Sequence, residues 1–237
     1  MATAIVIQHL EPEGPARIGA ALGAAGADVE VRRVDLGAPV PTSLDGIDAL
    51  VVLGGPMSAR HDEDFPSRIA EIELLRAAVA SGVPTLGVCL GAQLLAAASG
   101  AEVRAGHGPE IGWGSIELLP SAAGDPLFDG LPHELGVLHW HGETYTLPDA
   151  AAHLARSDAY DQQAFRVGHA AWGLQFHVEV DPDEVEVFVD AFGEDAALAR
   201  GGAEGIRSAT AAAIEALRPH RELLLARFAG LAAVGRR

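Results

Sequence analysis

The strongest constraint on this chain is one turn, P-T-L-G-V-C-L-G-A-Q-L-L, at residues 84–95. Residues 83–88 read as a short buried strand and residues 90–98 as an apolar helix, with Cys89 at the join. A strand that turns straight into a helix holds its corner residue in a strained conformation. Side chains two positions to either side would collide there, and both Gly87 and Gly91 lack one. Such an elbow lifts the sulfur clear of the backbone and sets it at a helix N-terminus. Unpaired N–H groups and the helix dipole at that point favour a thiolate and can hold an oxyanion. A lone intracellular cysteine more commonly packs as a small hydrophobe. The paired glycines single this one out as a nucleophile.

Around the elbow, strands alternate with helices. Residues 4–7 read as a buried strand, 29–34 and 49–53 as a second and a third strand, and residues 14–25 as a weak Gly- and Ala-rich helix stopped by Gly26. A helix over residues 67–80 places Ile69, Ile72 and Val79 on one face. This alternation implies right-handed crossovers and a parallel sheet, with functional loops at the carboxyl ends of its strands. L-G-G-P-M-S, at residues 53–58, and the cysteine elbow both occupy such ends. The next sixty residues read as short strands and turns, with strands at 115–119 and 136–139. Strands at 164–167 and 171–176 flank Gly168-His169 as a hairpin. Asp181-Pro182-Asp183-Glu184 is a helix start, followed by an apolar stripe of Val185, Phe188, Val189 and Phe192. An Ala-rich helical tail, residues 203–232, is expected to break at Pro219. Leu223, Leu224, Phe228 and Leu231 on it either pack on the protein's own sheet or dock a partner. The whole of residues 1–237 reads as a single domain.

A net charge of −17 argues against nucleic acid and against anionic membrane surfaces as partners. A single cysteine excludes an intrachain disulfide, and a reactive thiol suits a reducing cytosol. M-A-T-A-I-V-I-Q-H-L reads as a first strand and not as a signal peptide, and no apolar stretch is long enough for a membrane span. The expected location is the cytoplasm.

A cysteine nucleophile needs a base, and the base needs something to orient it. G-L-Q-F-H-V-E supplies both, because His177 and Glu179 are two apart at the end of an apolar strand and project from one face. Glu179 can then hold the imidazole while its other nitrogen faces the sulfur. Each of the nine other histidines, taken singly, has a surface or structural role as its simplest reading. His139-Trp140-His141 has a spacing that suits a metal, but no further Cys, Asp or Glu stands at ligand spacing, so no metal and no cofactor is expected.

L-G-G-P-M-S, G-V-C-L-G-A-Q and F-H-V-E, in that order along the chain, resemble the class I (triad) glutamine amidotransferase domain over about residues 3–195. W-H-G-E-T-Y-T-L-P and P-E-I-G-W narrow the likeness to small, free-standing members similar to the amidotransferase domain of GMP synthase. The resemblance implies a three-layer α/β fold, flavodoxin-like, with a mostly parallel, mixed sheet flanked by helices. It implies that Cys89, His177 and Glu179 form the triad, and that the N–H groups of Gly55 and Leu90 make an oxyanion hole. Gly54 and Gln93 would help hold substrate glutamine, and Trp140, His141, Gly142 and Glu143 would meet its α-amino and α-carboxylate groups. Two positions depart from the family. Val178 stands where the family usually has proline, and Glu143 where close relatives usually carry aspartate; as a bare residue Glu143 could equally be a solvated loop acid.

The implied reaction is hydrolysis of a γ-carboxamide through a γ-glutamyl thioester. No G-x-x-x-x-G-K-[ST] or other Gly-rich phosphate loop is present to spend the ammonia. Either a separate ammonia-accepting synthetase takes it, or the protein is a stand-alone hydrolase of small γ-glutamyl amides or peptides. A non-catalytic regulatory module on the same fold is the third reading.

Overall fold

The structure, a computed structural model, describes residues 1–234. Residues 235–237, the end of the expected domain span, lie outside the described residues. Nine strands form one sheet in the order β2-β1-β3-β4-β9-β8-β7-β5-β6. Strands β1 (Thr3–Gln8), β2 (Asp28–Arg33), β3 (Ala49–Val52), β4 (Thr85–Val88) and β9 (Ala171–Leu174) run parallel. Strands β8 (Ala164–Val167), β7 (Ala152–Arg156), β5 (Val103–Leu118) and β6 (Glu134–Tyr145) continue from β9 as an antiparallel half. The sheet is mixed, as expected, and β8 and β9 meet through Gly168-His169 as the hairpin requires.

Both faces of the sheet are covered at β1, β3, β4 and β9, so these strands are largely apolar instead of alternating, whereas the edge strand β2 is polar and largely exposed. On β1, Ala4 and Val6 face a layer made by α1 (Ala16–Ala24) and α6 (Gly202–Val234), where Ile18, Leu22, Leu224 and Phe228 pack. Ile5 and Ile7 point the other way, with Leu75 of α2 (Arg68–Ser81) and Leu94 and Leu95 of α3 (Leu90–Ala98). The result is three layers. A smaller cluster joins α4 (Pro182–Ala191), the short α5 (Gly193–Ala196) and β6 around Trp140, Val185 and Phe188. At the start of α4, Asp181 and Glu184 form the capping box that the D-P-D-E start predicts.

Four expectations change. The hairpin of β5 and β6 is far longer than the two short strands expected, 16 and 12 residues. Glycines and half-exposed polar residues in β5 blur its alternation, and a register irregularity between Ala105 and Glu110 interrupts it. Strand β7 was not expected at all, and its A-H-L-A-R holds no β-branched residue. On α2, Ile69 is half exposed while Glu71, Ile72, Leu74, Leu75 and Ala78 face inward. Finally, α6 runs straight through Pro219. Proline costs that helix one hydrogen bond, but Leu217 before it and Leu224 and Leu225 after it are buried in one core, which holds both halves.

Leu224 and Phe228 are fully buried against the protein's own sheet and Leu231 packs on the same cluster, leaving only Leu223 substantially exposed. The tail is therefore part of the core. Phe228→Ala should cost about 3–5 kcal/mol, read as a fall in the urea midpoint; a loss below 1 kcal/mol would show that α6 is an add-on.

Candidate active site

The elbow is as tight as the sequence requires. Cys89 caps α3 with φ 51° and ψ −107°, a strained conformation for a residue with a side chain. A Cβ on Gly91 would lie 1.9 Å from the Val52 carbonyl oxygen, and one on Gly87 would lie 2.4 Å from that of Gly91. The helix can press onto β3 and β4 only because both are glycine. Cys89 is 6% exposed and lies on the wall of a cavity of about 240 Å³ at the carboxyl ends of the parallel strands.

His177 reaches that cavity from beyond β9, since the strand ends at Leu174 and not at the H-V-E segment. It is held there by a bridge to β6, His177 N–H donating to the Leu138 carbonyl at 2.8 Å. Its Nδ1 is 2.6 Å from Glu179 Oε1, and the Val178 N–H donates to Glu179 Oε2 at 2.9 Å. Burial works against a charge on His177, but the Glu179 carboxylate and the hydrogen bonds to Cys89 and Glu179 raise its pKa well above the ordinary value. Because Nδ1 is occupied, Nε2 is the atom turned to the sulfur. The ring stands edge-on to Phe188 at 5.2 Å.

Most of the other expected residues share the cavity wall: Gly55, Leu90, Gln93 and the run from Trp140 to Glu143. Leu90 opens α3, so its N–H is among the first four of the helix, which have no intrahelical acceptor. Gln93 Nε2 donates to the Glu143 carbonyl at 3.3 Å and ties α3 to β6. Glu143 accepts from Ser58 through Oε1 at 2.7 Å, while its Oε2 is buried without a partner. The Trp140 indole turns into the cluster with Phe188 and Phe192, and its carbonyl lies 3.5 Å from the Cys89 sulfur. Gly54 is not on the wall.

His139 and His141 face Glu110, the cross-strand partner of His141 on β5. The donor atoms of the three lie within 4.8 Å of one another, so the ladder supplies the carboxylate that sequence spacing lacked. That carboxylate is engaged by Gln163 Nε2 at 2.6 Å and His141 Nε2 at 2.9 Å. Burial opposes its ionisation, but His141 and His139 beside it bring its pKa down to about 2. Burial pushes His139 down to about 4, so that ring is neutral. The cluster braces the β6 segment behind the cavity.

The family model described as glutamine amidotransferase class-I matches residues 16–190. The chain belongs to the class I glutamine amidotransferases. It is 34% identical over 180 residues to a glutamine amidotransferase-like protein, YfeJ, of Salmonella typhimurium, covering 74% of this chain and 75% of that one. It is also 34% identical over 142 residues to a glutamine-hydrolysing GMP synthase of Thermotoga maritima, covering 60% of this chain but 26% of the synthase. The chain thus spans about a quarter of that relative. Among solved structures, a glutamine amidotransferase from Methylobacillus flagellatus superposes with TM-score 0.87 at 30% identity, covering 100% of this chain and 96% of that one. One from Thermotoga maritima superposes with TM-score 0.86 at 28% identity, covering 96% and 98%. Among the described residues, no helix is long and apolar enough to cross a membrane.

Two buried groups at this site were missed from the sequence of this class I chain. His9, at the end of I-V-I-Q-H, follows β1, where a functional loop was to be expected. Glu13, in the loop after it, lies on the cavity wall, and its Oε2 fills the space over Gly54 where a Cβ would come within 1.9 Å. Burial raises Glu13 to about 7 against the pull of His177 and His9. Below pH 4.5 both folded and unfolded chains carry its proton; between 4.5 and about 7 only the folded chain does. Stability should therefore fall as pH rises through that window, by at most about 3 kcal/mol. Glu13→Gln should leave stability unchanged near pH 4.5 and raise it at pH 8, as urea titrations at the two pH values would show. Parallel pH slopes for the two proteins would contradict the assignment.

Proposed function

We propose that this amidotransferase hydrolyses the γ-carboxamide of glutamine through a γ-glutamyl thioester on Cys89, and that the ammonia passes to a separate partner in the cytoplasm. The observation that carries the reading is that His177 and the elbow thiol share one cavity wall, with Glu179 held on the far nitrogen of the ring. His177, its pKa raised by Glu179 and by Cys89, takes the proton of the Cys89 thiol. The thiolate adds to the amide carbon, and the oxyanion that forms is met by the Gly55 and Leu90 N–H groups. His177 gives its proton to the departing nitrogen, releasing ammonia and leaving the thioester. It then takes a proton from the water that attacks this ester, which returns glutamate and the thiolate. The unpartnered Glu143 Oε2 suits the substrate's α-ammonium. His141 and Gly142 complete that part of the wall, with Trp140 behind them.

Cys89→Ala should abolish glutamate release, and a diazo-ketone analogue of glutamine should label Cys89 alone in peptide mass mapping. His177→Ala should lower kcat by about 10³-fold or more, since acid and base are both lost, whereas Glu179→Gln should lower it by only about 10- to 100-fold. Equal losses in the two would invert the roles given to them. Fast turnover of γ-glutamyl amides or peptides with no partner present would favour the stand-alone hydrolase. No Cys89-dependent turnover of glutamine or of these amides, with or without partner, would leave the regulatory module.

A further inference from the structure

The peptide between Gly54 and Gly55 has two ends that do different things. A trans peptide is planar, so its C=O and N–H point in opposite directions. The Gly54 carbonyl accepts a hydrogen bond from His9 Nδ1 at 2.9 Å. The other nitrogen of the same ring, Nε2, is 2.8 Å from Glu71 Oε2, and Glu71 Oε1 accepts from Ser67 Oγ at 2.7 Å. His9 is 1% exposed and Glu71 is not exposed at all. Phe65 stands edge-on to the ring at 5.4 Å. On the opposite side Gly55 is pressed between His9 and Leu90: a Cβ there would come within 2.9 Å of His9 Cβ and of Leu90 Cδ2.

From this geometry we infer that His9 and Glu71 are a positioning dyad that fixes the Gly54–Gly55 peptide with its carbonyl turned out and its N–H turned toward Cys89. The inference rests on the oxyanion role given above to the Gly55 N–H. Neither His9 nor Glu71 touches the cavity; they act through the peptide. Both ring nitrogens face acceptors, so the ring donates twice and carries both protons. Burial alone would strip the second proton, but the hydrogen bond and charge of Glu71 from α2, the Gly54 carbonyl and the charge of Glu13 from the β1–α1 loop hold it. A doubly donating ring cannot turn over without breaking two bonds, so the peptide is held in one orientation before substrate arrives. Preorganised donors of this kind stabilise charge that develops only in the transition state.

The test separates the hole from the thiolate. Acyl transfer from glutamine, or from p-nitrophenyl acetate, builds an oxyanion; alkylation of Cys89 by iodoacetamide does not. His9→Leu should lower kcat for both acyl substrates by about 10²- to 10³-fold, with KM and the alkylation rate each within about 3-fold of the parent. His9→Asn, which has leucine's shape but sets an amide N–H at the position of Nδ1, should return kcat to within about 10-fold. His9→Phe serves in place of the leucine variant if that one does not fold. Retained kcat in the leucine or phenylalanine variant, no difference between it and the asparagine variant, or an equal loss of alkylation would overturn the dyad. If glutamine is not hydrolysed by the parent protein but ester hydrolysis depends on His9 in this way, the substrate reading fails and the dyad stands.

Discussion

The contact on which the site depends is the approach of α3 to the strands it crosses. Gly91 lies so close to the Val52 carbonyl, and Gly87 so close to that of Gly91, that a methyl group at either would have to displace backbone. That closeness forces the positive φ of Cys89. It also places the first free N–H of the helix beside L-G-G-P, because β3 and β4 are neighbours in the sheet. The proposed nucleophile and oxyanion donors thus come from one steric fact, two elements packed with no Cβ between them. The strain of one residue is small against the burial of Leu90, Leu94 and Leu95 behind it, each contributing about 1.5–3 kcal/mol.

Around the elbow the protein repeats one device. His177 with Glu179 and His9 with Glu71 each join a buried imidazole to a carboxylate, and His141 with Glu110 does so on β6. Unpaired, such groups would be costly in the interior; paired, they fix ring orientation better than apolar packing can. Two of the pairs link separate parts of the fold to the site: Glu71 brings in α2 and Glu110 brings in β5, whereas Glu179 lies on the same segment as His177. In a chain of −17, two of these buried imidazoles, His9 and His177, have pKa values raised by the acids matched to them, against the burial that opposes their charge.

What was legible in the sequence follows from range. The elbow, L-G-G-P, H-V-E and the D-P-D-E helix start are contiguous, and contiguous patterns report local geometry directly. The inner parallel strands were legible because both their faces are buried, giving largely apolar runs at β1, β3 and β4. The β5–β6 hairpin was not, since its pairing is written in cross-strand partners such as Glu110 and His141, 31 residues apart. His9 and Glu71 are 62 apart, and neither carries a signal without the other. Glu71 in particular looks like the solvated face of α2, and only the buried ring opposite it explains why Ile69 is the residue turned to solvent. Pro219 misled because local propensity is a weak prior when the flanking leucines are anchored on both sides.

The same logic explains why Glu179, the acid of the proposed triad, can sit outside any regular strand. Among the described residues, the segment after β9 has no ladder beyond the single bridge from His177 to Leu138, so it is held by its neighbours one group at a time. The Arg17 N–H of α1 donates to the Glu179 carbonyl at 3.1 Å. From α6, Arg221 donates to the Val180 carbonyl and pairs with Asp181, which also pairs with Arg17. These partners hold the Asp181 carboxyl below the usual carboxylate range despite its partial burial. Inside the segment, Val178 gives its N–H to Glu179 Oε2, a donor that proline at that position would not possess. The valine therefore leaves the carboxylate gripped at both oxygens, by its own backbone and by His177. The long helix after the amidotransferase motifs acquires a function by the same route: Arg221 lies two residues beyond Pro219, on the half of α6 that a break there would have set free. Continuity of α6 through the proline is what lets its second half anchor the segment that carries His177 and Glu179.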